Sequence, residues 1–507
     1  MADFQAYYLS LFLICLTCTI LIWAKVFKSS SRNPPTPFGL PIIGHLHLLS
    51  PLPHEAFHKL ALQYGPMFRL FLGSVPCVVV SSPETAKEIL KTNENAFIDR
   101  PQNSGAAYIT YGLKDFILAP YGPYWTFMKK IVVSQLLCKQ TLDLQASVRH
   151  DEINRFINIL SQNANVGKSV DIGKELMKLT NNVISRMILR KRCTDDVGKE
   201  EGDISKLIAD TSAGVGNFNI SDYIWLFKIL DLQGSGKKVI DIRARFDVIF
   251  DKIIEEHEVA RKQKKTGEEK DLLDMLLDIE QDKSMEIKLS RENIKALIQN
   301  LFMAGTDTSA STLKWALAQL INHPDIMKKA KEEIDQVVGG KRLVQESDIP
   351  NLPYLQAIVK ETLRLHPAAP VIPRKSRQNC NVLGYDIPAN THIFINVLAI
   401  NKDPNHWENP LEFRPERFET NMVDVRGQQF HFLTFGTGRR MCPGISLAHH
   451  IMHTTLGAML QCFDWKAGKD GNLASVDMEE GTGLTLPRAN PLVCVPVARL
   501  NPIPFPI

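Results

Sequence analysis

The chain has 507 residues, 22% charged and 44% hydrophobic, with a formal net charge of +4. These proportions are globular and exclude a disordered or fibrous chain; so slight a charge, with no basic stripe interleaved with aromatics, excludes a nucleic-acid footprint. The nine cysteines are scattered and odd in number, which suits a reduced, cytosol-facing body and speaks against a disulfide scaffold.

Residues 1–6 precede an uncharged run, Tyr7 to Ala24 (YYLSLFLICLTCTILIWA), just long enough to cross a bilayer as a helix. A cleavable signal peptide is the rival. Yet no A-x-A-like site follows, and the positive charges Lys25, Lys28 and Arg32 lie after the run. By the positive-inside rule they keep the downstream body cytosolic and residues 1–6 lumenal. Residues 25–41, ending in NPPTPFGLP, form a basic, proline-rich hinge, a semi-rigid strut between anchor and body. The body, 42–507, shows no composition shift that would mark a second boundary.

Within the body, MFRLFLGSVPCVVVSS (67–82) predicts two short strands around Gly73-Ser74. SPETAKEILKTN (82–93) has the start of a helix, and RARFDVIFDKIIEEHEVARKQKK (243–265) has helical spacing. A long helix is predicted from about Ser290 to His323, roughly 45–50 Å, stopped by Pro324. In its middle, Ala304-Gly305-Thr306-Asp307-Thr308 sets a glycine and three polar groups among Leu301, Phe302, Met303 and Trp315. Glycine there costs about 1 kcal/mol relative to alanine, and mid-helix threonines bond back to earlier carbonyls. Such a polar notch in a buried helix marks a functional site. Downstream, KETLRLHP (360–367) holds Glu361 and Arg364 one turn apart, and FRPERF (413–418) adds Arg417 in a loop. Last comes FGTGRRMCPG (435–444), where glycines bend the chain around Cys442 beside Arg439 and Arg440. A thiol in that setting ionises readily, as a metal ligand or a nucleophile would need.

Taken in order, AGTDT, ExxR, PERF and F-x-x-G-x-R-x-C-x-G resemble the cytochrome P450 family, from the anchor and hinge to the C-terminal GLTLPRANPLVCVP. The resemblance implies a mainly α fold with small β-sheets behind a single N-terminal transmembrane helix. It implies haem b, with Cys442 as the thiolate ligand of its iron, which favours O–O cleavage. Zinc is a poor rival, because Cys442 lacks a partner at finger-like spacing, and no protease-like signature supports a cysteine nucleophile. By matching, Phe435 and Gly438 would shape the loop against the porphyrin, and Arg440, Arg374, Trp125 and Lys129 would meet the propionates. Many relatives carry arginine where Lys129 stands, so a bidentate pair is lost there. Glu361, Arg364 and Arg417 would form a structural triad. Asp307 and Thr308 would sit above the iron and relay protons, with Ala304 and Gly305 opening the groove where dioxygen binds.

PPTPFGLPIIGHLHLL, APYGPYWTFMKK and QCFDW further resemble plant microsomal enzymes, in the branch of flavone synthases, pterocarpan hydroxylases and triterpene oxidases. The implied protein is a monooxygenase of the endoplasmic reticulum membrane, fed electrons from NADPH by cytochrome P450 reductase, acting on a small hydrophobic substrate. Two rivals are an isomerase or dehydratase of the same fold, needing no reductase, and a haem sensor or carrier; the Asp307–Thr308 pair argues against both. The small, apolar Ala368–Ile372 segment, with Ala304 and Gly305, points to a pentacyclic triterpene of the friedelane type. It would be oxidised at a methyl group, through alcohol and aldehyde to acid. A flavonoid or pterocarpan would instead need polar partners, which Tyr108, Thr110 or Tyr111 could offer.

Overall fold

The computed structural model describes residues 7, 17, 32–49, 52–192, 203–216, 220–224, 233–263, 270–282, 284–420 and 423–504. Apart from Tyr7 and Thr17, the expected anchor at 7–24 lies outside the described residues. Among the described residues, no helix is long and apolar enough to cross a membrane. The chain divides into two compact units, one built from Met1–Pro101, Asn219–Gln233 and Val371–Ile400, the other from the remainder.

The smaller unit contains the expected hairpin. Met67–Leu72 pairs antiparallel with Val75–Val80, the β-branched run that half-buried strands favour. Gly73 turns the chain at φ 57°, and a β-carbon there would stand 2.2 Å from the Tyr223 carbonyl oxygen. Only glycine meets both demands. His392–Asn396 adds a parallel strand to Val75–Val80 and takes Val371–Lys375 antiparallel on its other side. The described part of the proline-rich segment is bonded to this sheet. The Pro35 carbonyl accepts from the Arg69 N–H at 2.7 Å. Fully buried His45 accepts from the Phe71 N–H through Nδ1 (2.8 Å) and so donates through Nε2 to the Pro37 carbonyl (2.9 Å).

The larger unit is helical. The long helix spans Arg291–Asn322, capped by Ser290, whose side chain accepts from the Asn293 N–H. Residues 293–302 and 309–320 are almost wholly buried, as expected for a helix apolar on all sides. Helices Ile172–Leu189, Pro353–Leu365 and Ile445–Cys462 pack around it. A small sheet, Val170–Asp171, Val493–Ala498 and Phe463–Ala467, closes one flank. The architecture is mainly α with small sheets, as the sequence predicts.

Four histidines are held neutral by burial. His366 stacks flat on Trp315 (4.0 Å, 1° between planes), and burial pushes it well below its usual range. The same cause brings His392 and His449 to about 4 and His453 to about 3. The unfolded chain takes up these protons below about pH 6.5, whereas the folded protein does not, so stability falls with acidification. The loss should reach on the order of 1–2 kcal/mol per histidine between pH 6.5 and 5. A urea-unfolding midpoint that is the same at pH 7 and pH 5 would contradict this.

Candidate active site

The Cys442 loop is closed by three main-chain bonds: Gly436 N–H to Leu433 (2.8 Å), Met441 N–H to Gly438 (3.0 Å) and Cys442 N–H to Phe435 (3.0 Å). Gly436 and Gly438 hold φ of 69° and 71°, a region that side chains rarely enter, so this curl is written into the two glycines. Cys442 is left half-buried at the head of helix Ile445–Cys462. The Phe435 ring packs on His449 of that helix, 5.7 Å between centroids.

Two of the expected cationic groups, Arg440 and Lys129, lie at the loop. Arg440 is buried, donates to the Ile117 (3.2 Å) and Ala119 (2.6 Å) carbonyls, and lies 4.5 Å over the Trp125 ring. The Lys129 ammonium donates to the Arg439 carbonyl and stands 5.2 Å from the same ring. Trp125 Nε1–H is buried with no hydrogen-bond partner among the described residues. An orphaned buried donor is costly unless a ligand supplies an acceptor. Arg374 belongs to the smaller unit, buried on strand Val371–Lys375 with its guanidinium donating to the Pro373 carbonyl at 3.2 Å.

Glu361, Arg364 and Arg417 come together with no solvent access to the Glu361–Arg364 pair. Arg364 donates to both carboxylate oxygens of Glu361 (2.7 and 2.8 Å), and Arg417 adds a third bond at 3.0 Å. The remaining Arg364 donors go to the Asn401 (3.0 Å), Pro410 (2.7 Å) and Glu412 (3.2 Å) carbonyls. Asn401, to which the sequence assigns no role, connects this cluster to the cysteine loop. Its carbonyl serves Arg364, while its side chain accepts from the Leu433 N–H and donates to Thr434 (both 3.3 Å), immediately before Phe435.

The notch in the long helix divides its residues between different neighbours. Ala304 is exposed halfway along a helix buried on either side, so it borders open space. The Thr308 hydroxyl donates back to the Ala304 carbonyl at 2.7 Å. Gly305 does not open a groove, as the sequence suggests. A β-carbon there would lie 2.4 Å from Ile184 Cδ1, so the missing side chain lets helix Ile172–Leu189 pack close. From that helix Thr180 donates to the Thr306 carbonyl at 2.9 Å. The Asp307 Oδ2 accepts from Ser212 (2.9 Å) and Thr485 (2.7 Å). Neither donor follows from local sequence, although Thr485 lies within the GLTLPRANP stretch. Burial lowers the pKa of Lys314, two turns on, against the opposing field of Asp307.

The family model for cytochrome P450 matches residues 34–495. The chain belongs to the cytochrome P450 family. It is similar to soybean (Glycine max) 3,9-dihydroxypterocarpan 6A-monooxygenase, 52% identical over 97% of this chain and 98% of the relative. It is also similar to soybean beta-amyrin 24-hydroxylase, 43% identical over 98% of each. Among solved structures, a zebrafish cytochrome P450 with progesterone superposes at a TM-score of 0.74, with 27% identity, covering 88% of this chain and 99% of that one. Within the family the chain groups with the plant branch of pterocarpan hydroxylases and triterpene oxidases. It is a monooxygenase, and the P450 cofactor is haem b, reduced by electrons from NADPH through a reductase. This P450 suits that group: a thiol in a glycine-curled loop, an orphaned indole N–H flanked by cations, and a helix opened at Ala304.

Proposed function

We propose that this P450 is anchored in the endoplasmic reticulum membrane by residues 7–24 and oxidises a pentacyclic triterpene of the friedelane type at a methyl group, through alcohol and aldehyde to acid. The substrate assignment rests above all on Thr110 and Tyr111, two side chains suited to greet a flavonoid, because their hydroxyls are already engaged. The Tyr111 hydroxyl donates to Asp247 at 2.8 Å, Thr110 donates to the Ala106 carbonyl at 2.8 Å, and Arg243 covers the rings of Tyr108 (4.8 Å) and Tyr111 (4.4 Å). A polar substrate would have to displace these bonds, whereas a hydrocarbon skeleton leaves them intact. A second reading, hydroxylation of a pterocarpan, is favoured by the 52% identity to the soybean pterocarpan enzyme. Reductase-reconstituted enzyme, offered friedelin, beta-amyrin and 3,9-dihydroxypterocarpan, should show a low-spin to high-spin shift and oxidised products with friedelin. Turnover of the pterocarpan with none of either triterpene would overturn the triterpene assignment.

In this proposal Cys442 would hold the haem iron through its thiolate, Phe435 and Gly438 would shape the loop against the porphyrin, and Trp125, Lys129, Arg374 and Arg440 would meet the propionates. Bound haem, with its thiolate ligand, supplies the activation of dioxygen. Ala304 leaves room for dioxygen beside the helix, while the Glu361, Arg364 and Arg417 cluster is structural. Thr308 has spent its proton on the Ala304 carbonyl, so its oxygen faces outward as an acceptor that orders a water. The adjacent Asp307 carboxylate backs that relay, taking one proton from solvent for each proton it passes on. Thr308→Ala should therefore keep the carbon monoxide spectrum and substrate binding while productive turnover falls about 10²-fold, the scale of general acid catalysis, with electrons diverted to hydrogen peroxide. Unchanged coupling would remove Thr308 from the relay.

A further inference from the structure

We propose that Ser212 and Thr485 are positioning residues for Asp307, holding its carboxylate in the one orientation from which it can pass protons. The inference rests on the relay role proposed for Asp307. A carboxylate on a half-buried helix face rotates among several rotamers unless something restrains it. Here both donors bind one oxygen, Oδ2, at 2.9 and 2.7 Å, while Oδ1 accepts no hydrogen bond from the described residues. One oxygen is tied and the other is left to exchange a proton.

The two donors are themselves firmly placed. Thr485 sits between residues whose main chains are anchored: the Leu484 N–H donates to the Ser212 carbonyl (3.1 Å) and the Leu486 N–H to the Ala368 carbonyl (3.0 Å). The Leu486 carbonyl accepts from Ser311 (3.0 Å) and from Trp315 Nε1 (2.8 Å), one and two turns beyond Asp307 on the same helix. The C-terminal loop is thus registered on the very helix that carries the acid. On helix Asp203–Gly216, Thr211 bonds back to its own helix (Leu207 carbonyl, 2.6 Å), whereas its neighbour Ser212 turns to Asp307. Both Ser212 and Thr485 are buried, so water does not compete for the bonds.

The test uses full-length holoenzyme reconstituted with reductase, with no added substrate, and reads hydrogen peroxide released per NADPH consumed. Dioxygen that has taken up two electrons from NADPH but does not receive both protons on its distal oxygen leaves, with one proton on each oxygen, as hydrogen peroxide and is not split to water. Asp307→Asn should raise the peroxide yield several-fold, Ser212→Ala with Thr485→Val should raise it to the same level, and Thr485→Ser, which keeps the hydroxyl, should stay at the wild-type level. Combining all three changes (Asp307→Asn, Ser212→Ala and Thr485→Val) should add nothing to Asp307→Asn alone. The carbon monoxide spectrum should be unchanged throughout; if the double variant fails to load haem, Thr485→Val alone is scored in the same way. A raised yield in Asp307→Asn with a wild-type yield in the hydroxyl variants overturns the positioning role alone, as does an additive triple variant. A wild-type yield in Asp307→Asn overturns the relay reading and the inference with it.

Discussion

Replacing Cys442 with serine is expected to abolish the carbon monoxide absorption band of thiolate-ligated haem in the reduced protein, and turnover with it. The physical reason is charge. A thiolate brings a full negative charge and strong electron donation to a ligand bond, whereas a serine hydroxyl stays protonated and donates little electron density. The loop itself should survive, because its curl depends on Gly436 and Gly438 and on main-chain bonds, including the Cys442 N–H to Phe435 bond that serine keeps. Cys442→His should fail similarly, with a neutral nitrogen in place of a charged sulfur. Loss of signal with a normal circular dichroism spectrum and melting curve is the expected result. A variant retaining both the band and activity would sink the ligand assignment.

The second large effect is expected at Arg364. Removing the member that makes most of the bonds in a buried ion cluster leaves buried polar groups without partners, at a cost of about 3–5 kcal/mol. Arg364→Ala would strip Glu361 of two bonds and leave the Asn401, Pro410 and Glu412 carbonyls without their donor. Through Asn401 the damage reaches Leu433 and Thr434, which precede the cysteine loop. The variant should be isolated poor in haem, with a markedly lowered melting temperature. Arg364→Lys should not rescue it, since an ammonium cannot span both carboxylate oxygens and three carbonyls at once. Full haem content and an unshifted melting temperature in Arg364→Ala would show that the cluster is dispensable.

Both sites are legible in the chain in their local parts and not beyond them. Cys442 is legible because its loop is local: ten consecutive residues carry the glycines, the arginines and the thiol. Glu361 and Arg364 are legible for the same reason, being one helical turn apart. Asn401 was not, because its role exists only where three distant segments meet. Gly305 was misread. In sequence a glycine in a helix signals either an opening or a close approach, and only the position of Ile184 decides which.

The family signature, the glycine-curled cysteine loop and the long notched helix are all legible in the chain, because each is carried by short-range spacing: turn glycines, capping serine, i to i+3 pairs. Packing in three dimensions settles that the Pro35 and Pro37 carbonyls bond to Arg69 and His45, that the Thr110 and Tyr111 hydroxyls are already engaged, and that Asp307 is held by Ser212 and Thr485. Those partners lie 95 and 178 residues from the carboxylate they bind. A hydroxyl has no signature in a chain until folding gives it an acceptor, so bonds of this kind are a property of packing, not of any motif.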